Sequence, residues 1–535
     1  MYGIAMDIGT SGIRAQALDI ETKEIISTVI TLKHPLPGAN VVDHLHFALK
    51  VGAQAAHDLL MDDVNKVLDN LQIDLSEVSK FAVCGNPIQL SLFNNIEIRD
   101  LAFWGDEVLE RKDITPPSRN SKIISPKDVD LNLNDNVTVF IPPAIKHEIG
   151  ADALAMLYKT GVLNKEGIYI VADFGTNAEI ALVIDGEIFT CSAAAGPAIE
   201  GQTIKKGRLA APGSICDLNL EEDEWRNLVL DNNLKAAKGE LIDPYDGTVS
   251  EESDLDVDIK GITGTGVIAA FSLGLEDLLI EEGKIDTDDG LIHLQNDVYI
   301  DDDDISNIGK ALGAFRAAFI TLAESADILL DEVDGIYMAG ASGFYVDPLK
   351  SLTVGQIPAS SKNIYQVGNT SLDMAKDIVL NPELLKTLQG IADGMRSNHI
   401  MLASSEIFEK IYSLELALYD QGMPFLKYNE WLGKYGIQTV PEPVDDPFIE
   451  RIFDSDIPDL GTKGLKVIGV GATFKADMEG CTSCMSCVNE CPEKALEIDG
   501  TEITLRTDPC LGLGCQKCVL ACPDMVFDYN KFFEK

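Results

Sequence analysis

Basic residues are scarce in this sequence: 42 lysines and arginines face 87 aspartates and glutamates, a formal net charge of −45. Such a surface repels phosphate backbones and anionic head groups, which excludes nucleic acid and membrane surfaces as natural partners. Long apolar runs are also missing. No stretch of about eighteen residues lacks a charge, so no membrane span is expected; even Ile168 to Ile184 contains Asp173 and Glu179. No basic segment followed by an apolar one opens the chain, where Met1 to Met6 runs straight into Asp7, and a cytoplasmic location is the expectation. A G-x-x-x-x-G-K-[ST] string is absent, which excludes a P-loop. The seven histidines form no convincing ligand set, and His44-x-His46 is expected to be an exposed pair near a helix start. The acidic run Asp301 to Asp304 is expected to be solvated surface.

Cysteine is sparse until the end. Cys84, Cys191 and Cys216 are scattered through the first half, each expected as a small buried core residue, whereas eight of the eleven cysteines lie between Cys481 and Cys522. A disulfide framework would spread over the fold it staples; a dense terminal patch suggests metal. The first run is Cys481-x2-Cys484-x2-Cys487-x3-Cys491-Pro492, the spacing with which three thiolates of one loop grip a [4Fe–4S] cubane while the fourth serves a second cluster. The matching run follows as Cys510-x4-Cys515-x2-Cys518-x3-Cys522-Pro523. The crossed logic assigns Cys481, Cys484, Cys487 and Cys522 to one cluster and Cys510, Cys515, Cys518 and Cys491 to the other. In the widened x4 gap, Gly512 and Gly514 let the backbone bulge around Cys515. Between the runs, Ala495 to Ile498 and Thr501 to Thr504 are predicted to form a hairpin about Asp499-Gly500. Zinc is the alternative metal, but it normally takes its four ligands from two separated C-x2-C pairs.

The front of the chain carries a repeated unit. Tyr2 to Ile8 reads as an apolar strand with Asp7 near its end, then Gly9-Thr10-Ser11-Gly12 and a second strand from Ile13. Ile168 to Phe174 with Asp173, then Gly175-Thr176-Asn177 and Ala178 to Leu182, repeats the pattern. Each copy places backbone N–H groups and hydroxyls where they can meet an anion, and an aspartate that can hold Mg²⁺ through water. One such turn is ordinary; two, each opening an apolar hairpin a domain's length apart, resemble the two phosphate loops of the actin, Hsp70 and sugar-kinase superfamily, which closes on ATP. The adenosine loop implied by that resemblance is matched by Gly335 to Gly343, with Gly340, Ala341, Ser342 and Gly343 as contact residues. Gly264-Thr265-Gly266-Val267-Ile268-Ala269 matches a dinucleotide fingerprint but follows no clear strand, and no such site is expected there.

Further strings narrow the resemblance: Ile149-Gly150-Ala151-Asp152-Ala153-Leu154-Ala155, Ala193 to Gly201, Ala211-Pro212-Gly213, Gly261 to Gly266, Ala339 to Phe344 and Val367-Gly368-Asn369-Thr370. In this order they are similar to the ATP-dependent reductive activators of corrinoid proteins. Many of those carry an N-terminal [2Fe–2S] domain; two C-terminal [4Fe–4S] clusters instead resemble the activases of methylamine-type corrinoid methyltransferase systems. The resemblance implies ATP, Mg²⁺ and two [4Fe–4S] clusters as cofactors, with a corrinoid protein and a low-potential electron donor as partners. It also implies Asp7 and Asp173 as the residues that organise Mg²⁺ and the attacking water. The activity it implies is ATP-dependent reduction of Co(II) corrinoid to Co(I). Lacking a D-x-H-x-x-G string, the chain is not expected to keep a corrinoid of its own. Two other readings stay open: an activator of a radical dehydratase, and a non-catalytic electron-carrying adaptor.

The expected fold class is α/β, a two-lobed actin-like ATPase followed by a small α+β two-cluster ferredoxin domain. Its first lobe is placed at 1–160, with helix-like Phe47 to Leu71 and strand-like Phe81 to Phe93. A second lobe at 161–436 ends in helices around Ser371 to Leu380, Pro382 to Arg396 and Glu406 to Tyr419. Proline-punctuated residues 437–475 are expected as an extended linker, tied down by a strand at Leu465 to Val470, and 476–535 as the ferredoxin domain.

Overall fold

The computed structural model describes residues 1–31, 33–38, 40–103, 105–144, 149–175, 177–193, 203–396, 398–452, 465–513 and 515–533. These divide into two compact units: 1–154, 371–392 and 462–535 form the first, and 155–370 with 393–461 the second. The division falls inside the helix Ala151–Thr160 rather than after it.

The first unit is built on a seven-stranded sheet. Strand β1 (Tyr2–Ile8) pairs antiparallel with β2 (Ile13–Asp19), which pairs antiparallel with β3 (Ile25–Thr31). From Gly3 onward β1 is buried without alternation, as a central strand covered on both faces must be. Helices α1 (Val41–Val51) and α2 (Ala53–Asn70) follow, separated at Gly52, whose φ of 97° breaks what reads in sequence as one helix. Strand β4 (Val78–Gly85) lies parallel to β1. The stretch Phe81 to Phe93, expected as one strand, instead turns after Gly85 into α3 (Pro87–Phe93). Asn86 caps that helix by accepting from the Ile88 and Gln89 amides, and Pro87 occupies its first turn. Strands β5 (Lys122–Ile124) and β6 (Thr138–Ile141) complete the order 465–468, β3, β2, β1, β4, β6, β5.

The second unit repeats this plan. Strands β7 (Ile168–Phe174), β8 (Ala178–Ile184) and β9 (Glu187–Ala193) form an antiparallel meander, and β7 pairs in parallel with Gly335–Ala339, which continues in parallel to Asn363–Gly368. Three antiparallel strands followed by parallel ones is the order of β3, β2, β1, β4, β6 over again. A five-stranded sheet spanning Ser214 to Ile262 is added to this unit. Its core is crossed by the helix Asp302–Ser325, which packs against Glu406–Gln421. There Arg316, largely buried, pairs with Glu415 at 3.1 Å, and Tyr428 donates to the other carboxylate oxygen, Glu415 and Tyr428 being fully buried.

Two expectations about the surface are corrected. His44 is fully buried, not exposed, because it falls on the apolar stripe of α1 with Val41, Leu45, Phe47 and Ala48; His46 is exposed. Of Asp301 to Asp304, expected as solvated surface, Asp302 and Asp303 are exposed, but Asp301 and Asp304 form a capping box for the long helix, and buried Asp304 accepts from the Lys205 amide at 2.8 Å. The expected linker 437–475 contributes sheet edges. Phe448–Arg451 pairs with Asn363–Gly368, and Leu465–Ile468 pairs with β3.

The terminal module is a three-stranded antiparallel sheet of Thr473–Asp477, Glu502–Arg506 and Leu496–Asp499. Asp499 pairs with Glu502, so the hairpin turn is Gly500-Thr501, one residue later than expected, with Gly500 at φ 63°. The module belongs to the first unit: the Gly471 amide donates to buried Asp63 of α2 at 2.8 Å, and Phe533 meets Phe47 of α1 edge-on at 4.9 Å.

Candidate functional site

The first turn loop is a tight hairpin tip. The Gly9 amide donates to the Gly12 carbonyl at 3.0 Å, and the Ile13 amide to Thr31 Oγ1 at 2.8 Å. A Cβ on Gly12 would stand 2.6 Å from the Thr31 carbonyl oxygen, so no other residue fits. Ser11 at the tip is exposed, and Gly9 and Thr10 are half-buried. Asn86 at the cap of α3 donates to Thr10 Oγ1 at 3.3 Å.

Asp7 pairs across the sheet with Cys84 and carries 8% exposure. It lies beside Asp152, the second residue of the helix Ala151–Thr160. Burial, with Asp7's charge adding to it, pushes the Asp152 carboxyl up to about 6, although its Oδ1 accepts from the Ala153 amide at 2.9 Å. Burial and the same two carboxylates push the Cys84 thiol well up, which leaves it inert. The first unit therefore presents a carboxylate pair, of which only Asp7 is conspicuous from the repeated turn.

The second loop is built alike: the Gly175 amide donates to the Asn177 carbonyl at 3.1 Å, and Asp173 stands at the end of β7 opposite Glu179. Thr176 lies outside the described residues, as does most of the string Ala193 to Gly201. Asp173 also pairs in register with Ala339, and the next residue, Gly340, has φ 75°. A Cβ there would stand 2.2 Å from Asp173 Oδ1. The expected adenosine loop thus presses its first glycine against the acidic residue of the second phosphate loop. Gly340 to Gly343 open the short helix Gly340–Tyr345. Gln366, missed in the sequence, holds it by donating to the Gly343, Phe344 and Val346 carbonyls at 2.9, 3.0 and 2.9 Å. Gly264 to Ala269 follows a two-residue strand and begins a buried helix; a Cβ on Gly266 would stand 2.6 Å from the Ile215 carbonyl, so close packing accounts for that glycine.

In the terminal module the thiols line two cavities. One is bounded by Cys481, Cys484, Cys487 and Cys522 with Ile498, Ile503 and Phe527. The other is bounded by Cys491, Cys510, Cys515 and Cys518 with Leu505, Leu511 and Tyr529. Each takes three thiols from one run and the last from the other. Backbone amides of Ser483, Ala495 and Gly512 donate to the sulfurs of Cys481, Cys491 and Cys510 at 3.4, 3.3 and 3.4 Å. Ser483, Met485 and Gln516 adopt positive φ to wrap the chain around the cavities. Burial, and then the thiol of Cys510, push Cys518 up to about 12. Gly514 lies outside the described residues; Gly512 sits so close to Gly38 that a Cβ would lie 3.1 Å from its Cα.

Residues 2–165 match the family described as the RACo middle region, and residues 167–429 that described as the C-terminal domain of RACo, the ASKHA domain. The chain is 43% identical over 498 residues to the [Co(II) methylated amine-specific corrinoid protein] reductase of Methanosarcina barkeri, covering 93% of this chain and 92% of that one. It is 22% identical over 464 residues to the corrinoid activation enzyme RamQ of Eubacterium limosum, covering 79% and 71%. Among solved structures, a reductive activator for corrinoid, iron–sulfur protein superposes with a TM-score of 0.62 at 22% identity, over 78% of this chain and 66% of that one, a likeness of fold. Among the described residues no helix is long and apolar enough to cross a membrane.

Proposed function

Because the chain belongs to the RACo family of corrinoid-protein reductive activators, we propose that it reduces the Co(II) corrinoid of a methyltransferase system's corrinoid protein to Co(I), using ATP and two [4Fe–4S] clusters. The observation that carries this reading is the union, in one polypeptide, of a duplicated acidic-turn fold with two cavities of four thiols each.

The thiol cavities fit cubanes. Four sulfurs line each apolar space, and amides already point at three of the sulfurs. Cys481, Cys484, Cys487 and Cys522 would hold one cluster and Cys491, Cys510, Cys515 and Cys518 the other. When bound, the clusters supply one-electron carriage from an external low-potential donor toward cobalt. The chain's residues set the conditions for this: amide donors and the apolar walls of the cavities tune the sulfurs.

Asp7 and Asp173 are suited to hold Mg²⁺ through water, and the acidic pair Asp7–Asp152 to orient or accept a proton from an attacking water. Gly9, Thr10, Ser11 and Gly12, with Gly175, Thr176 and Asn177, would take the phosphates, and Gly340, Ala341, Ser342 and Gly343 the adenosine. ATP is required on energetic grounds if the cobalt couple lies below the donor: for one electron, ~200 mV uphill costs about 5 kcal/mol. That energy reaches the electron only if contact with the corrinoid protein differs between nucleotide states. A cytoplasmic location belongs to the same reading.

The test mixes anaerobically prepared, reduced protein with a Co(II) corrinoid protein and follows the Co(I) absorption. Co(I) should form with ATP and fail to form with the Asp173→Ala variant, whose ATPase should also be lost. Equal Co(I) formation without ATP would sink the coupling.

A further inference from the structure

Within the first unit, the phosphate-loop neighbour Asn86 and the thiol cavity of Cys510 are joined by an unbroken series of contacts. Asn86 donates to Thr10 Oγ1 at 3.3 Å and accepts from the Gln89 amide at 3.0 Å. The Gln89 side chain meets His44 Nδ1 at 2.8 Å. His44 stacks on His34 with ring centroids 4.2 Å apart. It also packs against Gly38, where a Cβ would stand 2.9 Å from His44 Cδ2. Gly38 in turn donates its amide to the Cys510 carbonyl at 3.0 Å. A second route leaves the same helix α1 one turn later. Phe47 meets Phe533 at 4.9 Å, Phe533 meets Tyr529 at 5.5 Å, and the Tyr529 hydroxyl lies 3.4 Å from Cys510 Sγ.

The chemistry of the groups at the centre of the series allows two hydrogen-bond settings. His34, His44 and Gln89 are buried, and His34 Nε2, His44 Nε2 and Gln89 Oε1 have no hydrogen-bond partner of good geometry, although the Gln89 amide faces His34 and the Gly38 carbonyl faces His44. Burial holds His44 down at about 3 and His34 well below its ordinary value, so both rings are neutral and each carries one N–H. Gln89 can donate its NH2 to His44 Nδ1, or turn over and accept from Nδ1–H with the other tautomer of the ring. Buried polar groups left half-satisfied are costly, so a nucleotide or an electron that favours one arrangement over the other shifts the balance between them.

We propose that Gln89 and His44 are positioning residues that couple the first phosphate loop to the Cys510 thiol set, so that a nucleotide at Thr10 and an electron at that set change one another's binding. The inference rests on the nucleotide and cluster assignments above. By linkage the effect is reciprocal: the factor by which reduction alters nucleotide affinity equals the factor by which nucleotide alters reduction.

The experiment measures, by anaerobic calorimetry, the affinity of the iron-loaded full chain for a non-hydrolysable Mg·ATP analogue in oxidised and dithionite-reduced forms. EPR-monitored redox titration with and without the analogue supplies the reciprocal measurement. The affinity ratio in the unaltered protein should be on the order of fivefold or more. In Gln89→Met, close in shape and without the amide, it should fall below about twofold, with iron content and melting temperature retained. His44→Phe, which keeps the stacked ring, should do the same, and the double variant should lose no more than either alone. A ratio of one in the unaltered protein overturns the coupling, as does retention of the full ratio in either folded variant. Failure to bind iron or nucleotide at all would instead overturn the assignments on which the coupling rests.

Discussion

Asp152 shows how a single residue can set stability against chemistry. Its carboxyl is raised from 3.8 to about 6, so the folded protein binds this proton more tightly than the unfolded chain does. The stability associated with that proton is present at low pH and is lost as pH rises from about 4 through about 6. Asp152→Asn can still accept from the Ala153 amide, and it should stabilise the nucleotide-free protein at pH 7 by about 1–2 kcal/mol, a figure reduced for partial solvent access. Urea denaturation at pH 5 and pH 8 checks this: the difference between the two pH values should shrink in the variant. ATPase should fall by at least about 10²-fold if the carboxylate handles the water proton. At this scale the sequence was legible where residues recur. Asp7 and Asp173 stand at equivalent places in two copies of one turn, and the thiol runs carry their spacing with them. Asp152, Asn86 and Gln366 were not legible as parts of the site, because each is a lone polar residue whose partner is brought to it by another segment. His44 could have been placed correctly from its three- and four-residue spacing to Val41, Phe47 and Ala48.

Among the elements, the pairing of Asp302–Ser325 with Glu406–Gln421 carries two ionic contacts, the exposed Lys310–Asp420 and the interior Arg316–Glu415, of which the interior one matters more to stability. Glu415→Ala would leave Arg316 buried without its carboxylate and should cost about 3–5 kcal/mol in denaturant unfolding, whereas Arg316→Met with Glu415→Leu should cost far less. Helices with strong apolar periodicity, such as Glu406–Gln421, were legible to within two residues. The failures share a physical cause: local signals override an apolar run. Gly52 at positive φ divides α1 from α2, and the Asn86 cap with Pro87 turns the end of an apparent strand into α3. Gly500 at positive φ opens the last hairpin's turn, shifting it by a residue. In the expected linker the tie at Leu465–Ile468 was legible, but the edge strand Phe448–Arg451 was not, because it buries too little to show a pattern and is exposed at every position.

For the whole molecule, a net charge of −45 constrains association more than fold. A partner that meets this surface productively must present a basic rim, so its association rate should drop at least about tenfold between ~50 and ~500 mM salt, while chemistry measured in the preformed complex should change little. Stopped-flow mixing with the corrinoid protein, compared with single turnover of the complex, separates the two. The duplicated architecture was legible from the repeated turn, but the grouping of the terminal module with the first unit was not, because Asp63, Phe47 and Gly38 give no sign in sequence that residues four hundred positions away will rest on them.

The close approach of Gly512 to Gly38 carries a consequence for life in air. The widened gap in the second cysteine run is a seat for a loop of the first unit, fitted so closely that a methyl group on Gly512 would stand 3.1 Å from the Gly38 Cα and the Pro37 carbonyl oxygen. If the proposed clusters are bound there, oxygen that stripped their iron and let this seat collapse would damage more than the wiring. It would withdraw support from the same structural unit that carries the proposed first phosphate loop, and an oxidised enzyme would then fall silent at both ends together.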